Sequence, residues 1–187
     1  MTAAATTMTD PAAAPPRWTI GRLLPYGVTG LPLAALLLPL YVYLPSYYAE
    51  GLGLGFAVVG GVLLAARLWD GITDPLVGWL SDRWTSRWGR RRPWMVVGTP
   101  ILLLGAWQLF RPGESADWLH LLLWSGVLYL GATMVLLPYS AWGAELSPDY
   151  HERSRIAGAR EIFVVVGTLL AASLPALAGG GAEAALS

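Results

Sequence analysis

The chain has 187 residues, of which 55% are hydrophobic and 13% charged, whereas about a quarter of an average soluble domain is charged. Its 12 basic and 12 acidic residues cancel to a formal net charge of zero, which argues against a nucleic-acid partner. With no cysteine and only two histidines, the chain has no disulfide, thiolate metal site or recognisable zinc motif, so neither a structural metal nor a cofactor is predicted. The composition predicts an integral membrane protein rather than a soluble enzyme.

Five apolar stretches follow a short polar tail. Residues 1–18 lack the basic start and apolar run of a secretory signal, and they are predicted to be a disordered cytoplasmic tail. A membrane-spanning helix needs roughly 20 mostly apolar residues. The predicted spans are 23–48, 54–80, 94–110, 118–142 and 162–177, within one bundle of residues 19–181, and residues 182–187 are predicted to be a truncated end. Because the runs lack the alternation of barrel strands, the predicted fold is an all-α polytopic transmembrane helical bundle.

The arginines predict the orientation. They are concentrated in the tail and in the loops after the second and fourth spans, whereas the two opposite loops contain only Arg111. Because cytoplasmic loops carry an excess of basic residues, the N-terminus is predicted to be cytoplasmic, in a multi-pass protein of the cytoplasmic membrane. The first span also contains Pro25, Pro32, Pro39 and Pro45. Such a repeatedly bent helix suits a cavity-lining element, although proline is also simply tolerated in membrane helices.

Three charged residues lie inside the second span. The spacings of Arg67, Asp70 and Asp74 place all three on one face of a helix. Ionised groups in a membrane cost a few kcal/mol each, and they usually face a cavity and mark an ion or substrate pathway. Together they sum to one negative charge, which one proton or one small monovalent cation relieves. We therefore expect Asp70 and Asp74 to form a coupling-cation site, oriented by Arg67 and joined by the hydroxyl of Thr73. The alternative is an ion-pair staple between helices.

A second charged cluster follows the second span, and further charges follow the fourth. Asp82 can accept hydrogen bonds across a helix interface, and Arg83 and Arg87 can pair with acids of the later loop, so the two loops are predicted to form a cytoplasmic gate. Solvated loop charges and lipid headgroup contacts are the alternatives. The predicted gate residues are Gly78, Asp82, Arg83, Arg87, Glu145, Asp149, Arg153 and Arg155.

Three stretches carry a family resemblance: RLWDGITDP at 67–75, SRWGR at 86–90, and the segment that runs from Pro138-Tyr139 through Glu145. Together they resemble the glycoside–pentoside–hexuronide:cation symporters, the melibiose-permease-like members of the major facilitator superfamily, over about residues 24–167. The resemblance implies twelve helices in two six-helix halves, alternating access, and sugar uptake driven by H+ or Na+. The five predicted spans of this chain are then part of a major-facilitator N-terminal half. It places Asp70 and Asp74 on the family's cation-site carboxylates, and Thr133 on a fourth-span position associated with that site.

The chain departs from the melibiose carriers at four positions. Leu33-Ala34 replaces a Lys-Asp pair in the first span. In the fourth span, Leu136 replaces a carboxylate and Ser140 replaces a stacking tryptophan. Because the loss of a ligand oxygen hurts a metal ion more than a proton, these departures favour proton coupling over sodium. The substrate-binding residues expected from the resemblance are Arg160, Tyr41, Tyr139 and Trp142.

The predicted function is secondary active transport by sugar:cation symport, with the lipid bilayer and a small-molecule substrate as partners. Substrate sites in such folds lie between two repeats, and five spans are one short of half a transporter. A missing C-terminal half is therefore also predicted as a partner. Two alternatives remain: a non-transporting membrane scaffold or assembly subunit, and the same fold carrying a lipid-like or drug-like amphiphile.

Overall fold

The computed structural model describes residues 18–84, 86–113 and 116–177, so the predicted end at 182–187 and all of the predicted tail except Trp18 lie outside the described residues. Within these ranges six α-helices follow one another, and a π-helical turn at Tyr47–Gly51 extends the second of them. The helices are α1 (Ile20–Val28), α2 (Gly30–Ser46), α3 (Phe56–Arg83), α4 (Arg92–Phe110), α5 (Trp118–Glu145) and α6 (Tyr150–Leu177).

The described ranges contain five segments that are long and apolar enough to cross a membrane. These are Ile20–Gly51, Phe56–Arg83, Arg92–Phe110, Trp118–Glu145 and Tyr150–Leu174. They confirm the predicted all-α polytopic bundle. The segment of α5 is the most buried of the five, and α3 and α4 pack against it while α6 packs against α2.

The first span is interrupted where its prolines remove backbone hydrogen bonds. Pro32 has no N–H to donate to the carbonyl of Val28, and the helix breaks between α1 and α2 at Thr29. The Thr29 hydroxyl donates to the carbonyl of Pro25 at 3.3 Å. Near the other end, the chain widens into the π-helical turn two residues after Pro45. The first span, Ile20–Gly51, therefore consists of two helices and a π-helical turn within one membrane-spanning segment.

The last helix begins at Tyr150 rather than at the predicted Ile162. Its start is capped by Asp149, whose Oδ2 accepts the backbone N–H of Glu152 at 3.1 Å. The first turns of α6 are rich in charged residues, so a prediction based on hydropathy does not include them in the span. In consequence Arg155 and Arg160 lie on a helix, and not in a loop before it.

Glycines allow α4 and α5 to pack backbone against backbone. A Cβ atom added at Gly105 would lie 2.8 Å from the Cα of Leu128, and one added at Gly131 would lie 2.7 Å from the Cα of Leu102. Both contacts are to main chain, which cannot rotate aside. The buried core beside this contact includes Leu102, Leu109, Leu121 and Leu128.

The close α4–α5 contact makes Gly131 intolerant of a methyl group. We expect Gly131→Ala to lower the free energy of unfolding by about 1–3 kcal/mol, because overpacking forces the two helices apart. The matched control is Gly60→Ala in α3, where an added Cβ meets nothing within 4 Å. That variant should be neutral or slightly stabilising. Thermal unfolding in detergent measures both, and equal stability of the two variants would contradict the packing argument.

Candidate functional site

One hydroxyl joins the two carboxylates of α3. Asp70 and Asp74 lie one turn apart, and the buried Thr133 of α5 faces both of them. Thr133 Oγ1 is 3.0 Å from Asp70 Oδ1 and 2.7 Å from Asp74 Oδ1. A hydroxyl has one hydrogen, so it can donate to only one of the two carboxylates at a time. The second contact is a hydrogen bond only if that carboxyl carries a proton and donates it to Thr133. We call these three residues the carboxylate cluster.

The other two residues predicted for this site lie at its edge. The Thr73 hydroxyl is buried, and it donates to the backbone carbonyl of Asp70 at 3.2 Å. Arg67 is about half exposed, with its Nη1 3.6 Å from Asp70 Oδ2. Within the described ranges, no third carboxylate joins the cluster. Thr133, the member expected from the resemblance, is thus the hydroxyl that contacts the carboxylates.

Arg91, which directly precedes α4, forms ion pairs with residues of α3 and α5 at the end of the bundle where the arginine-rich loop lies. Its Nη1 is 2.6 Å from Asp82 Oδ1 near the end of α3, and its Nη2 is 2.9 Å from Glu145 Oε1 at the end of α5. Ser81 Oγ also accepts from Arg91, at 3.2 Å, and Arg90 Nη2 lies 3.3 Å from Glu145 Oε1. Burial by itself lowers the pKa of Arg91, but its bonds to Glu145 and then Asp82 outweigh burial and raise that pKa above its ordinary value.

The arginines predicted for these pairs lie elsewhere. The guanidinium carbon of Arg83 is 4.1 Å from the centre of the Trp79 ring, and that of Arg87 is 5.6 Å from Trp88. Neither makes an ion pair with an acid within 4 Å in the part of the chain that the structure describes. The sequence interpretation did not assign Arg91 to these ion pairs. The acids with which it could pair were the signal that could have indicated it. Gly78 contributes its carbonyl, which accepts from Ser81 at 3.0 Å.

The remaining gate residues form a second cluster at the start of α6. Asp149 caps the helix, as described above. Arg155 Nη1 lies 2.6 Å from Oε1 of the buried Glu152, whose Oε2 accepts the backbone N–H of Trp18 at 3.1 Å. Arg153 is exposed, and its backbone N–H donates to the Asp149 carbonyl. The predicted gate is therefore two separate clusters in the structure.

A cavity of about 310 Å³ lies between α2, α5 and α6. All four positions at which the chain departs from the melibiose carriers line it, although they are far apart in sequence. Most of the wall is aliphatic, and the polar groups come from α5 and α6. The lining residues are Gly30, Leu33, Ala34, Leu37, Leu136, Tyr139, Ser140, Arg160, Glu161 and Val164. We call this the α2–α6 cavity.

Comparison with known proteins decides the family. A model of the family described as MFS/sugar transport protein matches residues 25–186. The chain belongs to this family. An uncharacterized symporter, sll1374 of Synechocystis sp., is 37% identical over 152 residues, which are 76% of this chain and 28% of the relative. A glucuronide carrier protein homolog of Escherichia coli is 29% identical over 65% of this chain and 27% of the relative.

A third relative has a different named cargo. The sodium-dependent lysophosphatidylcholine symporter 1 of Xenopus tropicalis is 33% identical over 80% of this chain and 28% of the relative. The chain thus spans less than a third of the length of these curated relatives. Membership of the MFS/sugar transport protein family confirms the predicted resemblance, and the relatives are transporters rather than enzymes.

Two of the four residues expected to bind substrate in this MFS family line the α2–α6 cavity. Arg160 Nη1 donates to Ser140 Oγ at 2.9 Å, and Arg160 Nε donates to Glu161 Oε1 at 3.1 Å. Tyr139 also lines the cavity, but its hydroxyl donates to the carbonyl of Tyr26 at 2.6 Å. Arg160 is therefore the polar end of the cavity, with Glu161 as its neighbour.

The other two expected substrate residues lie away from this cavity. Tyr41 stacks on Tyr129, with ring centres 6.4 Å apart. Trp142 packs edge-on against Tyr26 at 5.9 Å, and Arg92 lies over its ring. Sequence reasoning missed Leu37 and Val164 as lining residues. Each is four residues from another lining residue of the same helix, which is one helical turn.

Proposed function

We propose that this chain is the N-terminal part of a secondary active symporter in which the carboxylate cluster binds the coupling cation. The contact of Thr133 with both Asp70 and Asp74 carries the proposal, because the three groups are fully hydrogen bonded only when one proton is added. A small monovalent cation placed between the carboxylates would supply the same positive charge. The proposed setting is the cytoplasmic membrane, with the N-terminus in the cytoplasm.

We propose H+ as the coupling cation. The cluster offers two carboxylates and one hydroxyl, and one proton satisfies all of them. Sodium needs more oxygen ligands than a proton does. Ala34 and Leu136 stand where the melibiose carriers have carboxylates, so these two positions supply no oxygen ligand for sodium. Both residues line the α2–α6 cavity. The sodium dependence named for the lysophosphatidylcholine relative keeps Na+ as the second candidate.

The proposed cargo is a sugar, bound at the α2–α6 cavity together with the rest of the transporter. Arg160 and Glu161 can donate to and accept from the hydroxyl groups of a sugar, and Ser140 adds a third polar group. The glucuronide carrier relative supports this cargo.

An amphiphile is the second candidate cargo, and the cavity wall favours it. Leu33, Leu37, Leu136 and Val164 present aliphatic surface beside the charged pair of Arg160 and Glu161. A molecule with an apolar chain and a polar head would match both parts of this wall, as lysophosphatidylcholine would. A scaffold role, by contrast, gives no reason for a net negative charge in the middle of a span.

Uptake into proteoliposomes tests the function and both cargoes. The complete protein is reconstituted, and a labelled glucuronide and a labelled lysophospholipid are supplied under an imposed H+ or Na+ gradient. We expect an inward H+ gradient to drive glucuronide uptake, and a protonophore to abolish it. Uptake of the lysophospholipid instead would select the amphiphile, and uptake driven only by Na+ would replace the proton. Uptake that ignores both gradients would contradict symport.

A further inference from the structure

The guanidinium of Arg67 lies beside two stacked tyrosine rings. Its Cζ is 4.9 Å from the centre of the Tyr41 ring and 5.2 Å from that of Tyr129. The two rings are 6.4 Å apart and 20° from parallel. Both guanidinium distances fall within the range of about 6 Å in which the face of an aromatic ring attracts a cation. Tyr41 belongs to α2 and Tyr129 to α5, so both helices contact the arginine of α3.

The same guanidinium forms an ion pair with Asp70, but the two groups are too far apart for a close hydrogen bond. Arg67 Nη1 is 3.6 Å from Asp70 Oδ2, whereas a charge-assisted hydrogen bond spans about 2.7–2.9 Å. Asp70 Oδ1 is already taken by Thr133, so Oδ2 is the oxygen that faces Arg67. A movement of the guanidinium by about 1 Å would bring Arg67 within charge-assisted hydrogen-bond distance of Asp70. The exposure of Arg67, at 52% of its side chain, leaves room for that movement.

We propose that Tyr41 and Tyr129 are positioning residues that hold Arg67 in this longer ion pair, short of a direct hydrogen bond to Asp70, and so keep the carboxylate available to the coupling cation. The inference rests on the proposed cation site at Asp70 and Asp74. An Arg67 hydrogen-bonded directly to Asp70 would neutralise the carboxylate more fully, as a tethered cation, and would compete with H+ or Na+. The two rings give the guanidinium a favourable alternative contact, and they thereby raise the cation affinity of the site without touching the cation.

The charged and titratable groups near Asp70 are few. Arg67 and Asp74 lie on its own helix, and Tyr129 from α5 and Tyr41 from α2 both face Arg67. Tyr41 is 44% exposed, so its replacement leaves the core intact, whereas Tyr129 is buried. The decisive variant is therefore Tyr41→Leu, and Tyr129 is changed only to phenylalanine.

Labelling of Asp70 by a hydrophobic carbodiimide reports on cation binding without requiring a substrate. The protonated carboxyl adds to such a reagent, with its proton passing to a carbodiimide nitrogen and its oxygen bonding to the central carbon, so labelling rises with H+ and falls when Na+ occupies the site. The complete protein in phosphatidylcholine vesicles is labelled across pH and NaCl concentration, and Asp70 is quantified by mass spectrometry. We expect Tyr41→Leu to raise the half-maximal concentration of the effective cation about fivefold to tenfold. Tyr41→Phe and Tyr129→Phe should leave it unchanged, because the ring faces remain.

Two further variants separate positioning from general damage. Tyr43→Leu removes a ring of the same size from the same helix, and the structure describes no contact between that ring and Arg67, so it should have no effect. In an Arg67→Gln background, Tyr41→Leu should also have no effect, since there is no guanidinium left to hold. An unchanged half-maximal concentration in Tyr41→Leu, or an effect that persists without Arg67, would overturn the positioning role and leave the cation site intact. Labelling of the wild type that ignores both cations would overturn the proposed function as well.

Discussion

Asp70→Asn and Asp74→Asn are each expected to abolish cation-driven uptake while the protein still folds. Either change removes one negative charge, and the remaining Asp then balances Arg67 without an added cation. Loss of an outer-shell partner of a bound metal lowers the metal affinity about 10–100-fold. Loss of a carboxylate that binds the cation directly should therefore lower the cation affinity by more than about 100-fold. Uptake of the labelled substrate against H+ and Na+ concentration measures the effect, and circular dichroism in detergent checks the helices.

Variants of Thr133 separate the hydroxyl from the carboxylates in the same assay. Thr133→Ser keeps the hydroxyl that lies 3.0 Å from Asp70 Oδ1 and 2.7 Å from Asp74 Oδ1, so its cation dependence should be close to that of the wild type. Thr133→Ala leaves the carboxylates without their shared donor and should weaken cation affinity about tenfold. Glu50→Gln removes an exposed carboxylate in the π-helical turn and is the matched control for the two Asp variants. Full cation dependence in both Asp variants would leave only a structural role for the pair.

The membrane spans and the carboxylates were predictable because their signals are local. Hydropathy over a span reports on the cost of placing it in lipid, and Asp70 and Asp74 stand out because they raise that cost. The helical period then places them together with no knowledge of the fold. The partner of the pair on α5 could not be predicted in this way. Thr73 and Thr133 are equally good hydroxyls in sequence, and only the packing of α3 on α5 turns Thr133 towards the carboxylates.

The loop pairs were not predictable because a single backbone reversal decides them. Gly89 has φ of 95°, in the left-handed region, and its N–H donates to the carbonyl of Ser86 at 2.9 Å. Past this turn, Arg90 and Arg91 face Asp82 and Glu145, whereas Arg87 precedes it and lies against Trp88. Charge counting treats all these arginines as equivalent. The turn separates them, so the ion pairs with Asp82 and Glu145 form at Arg91 rather than at the predicted Arg83 and Arg87.

Arg91→Gln is expected to be the most damaging change in the arginine-rich loop. Arg91 is 12% exposed and bonds to both Asp82 and Glu145, so its loss leaves these two acids at the ends of α3 and α5 with only the longer contacts to Arg90, 4.0 Å and 3.3 Å. We expect uptake to fall more than about tenfold, and the free energy of unfolding to fall by about 1–2 kcal/mol, since both acids are half exposed and solvent screens part of their charge. Transport into proteoliposomes and thermal unfolding give the two values.

The geometry of the Arg91 side chain supplies the controls. Arg91→Lys keeps the charge but loses the planar fork that reaches both acids, so it should restore stability only in part. Arg87→Gln removes an arginine whose guanidinium faces the Trp88 ring, and its effect should be much smaller. Arg22→Gln, at an exposed position of α1, controls for the loss of one positive charge. An effect of Arg87→Gln as large as that of Arg91→Gln would contradict this prediction, because the ion pairs of Arg91 with Asp82 and Glu145 would then have no special importance.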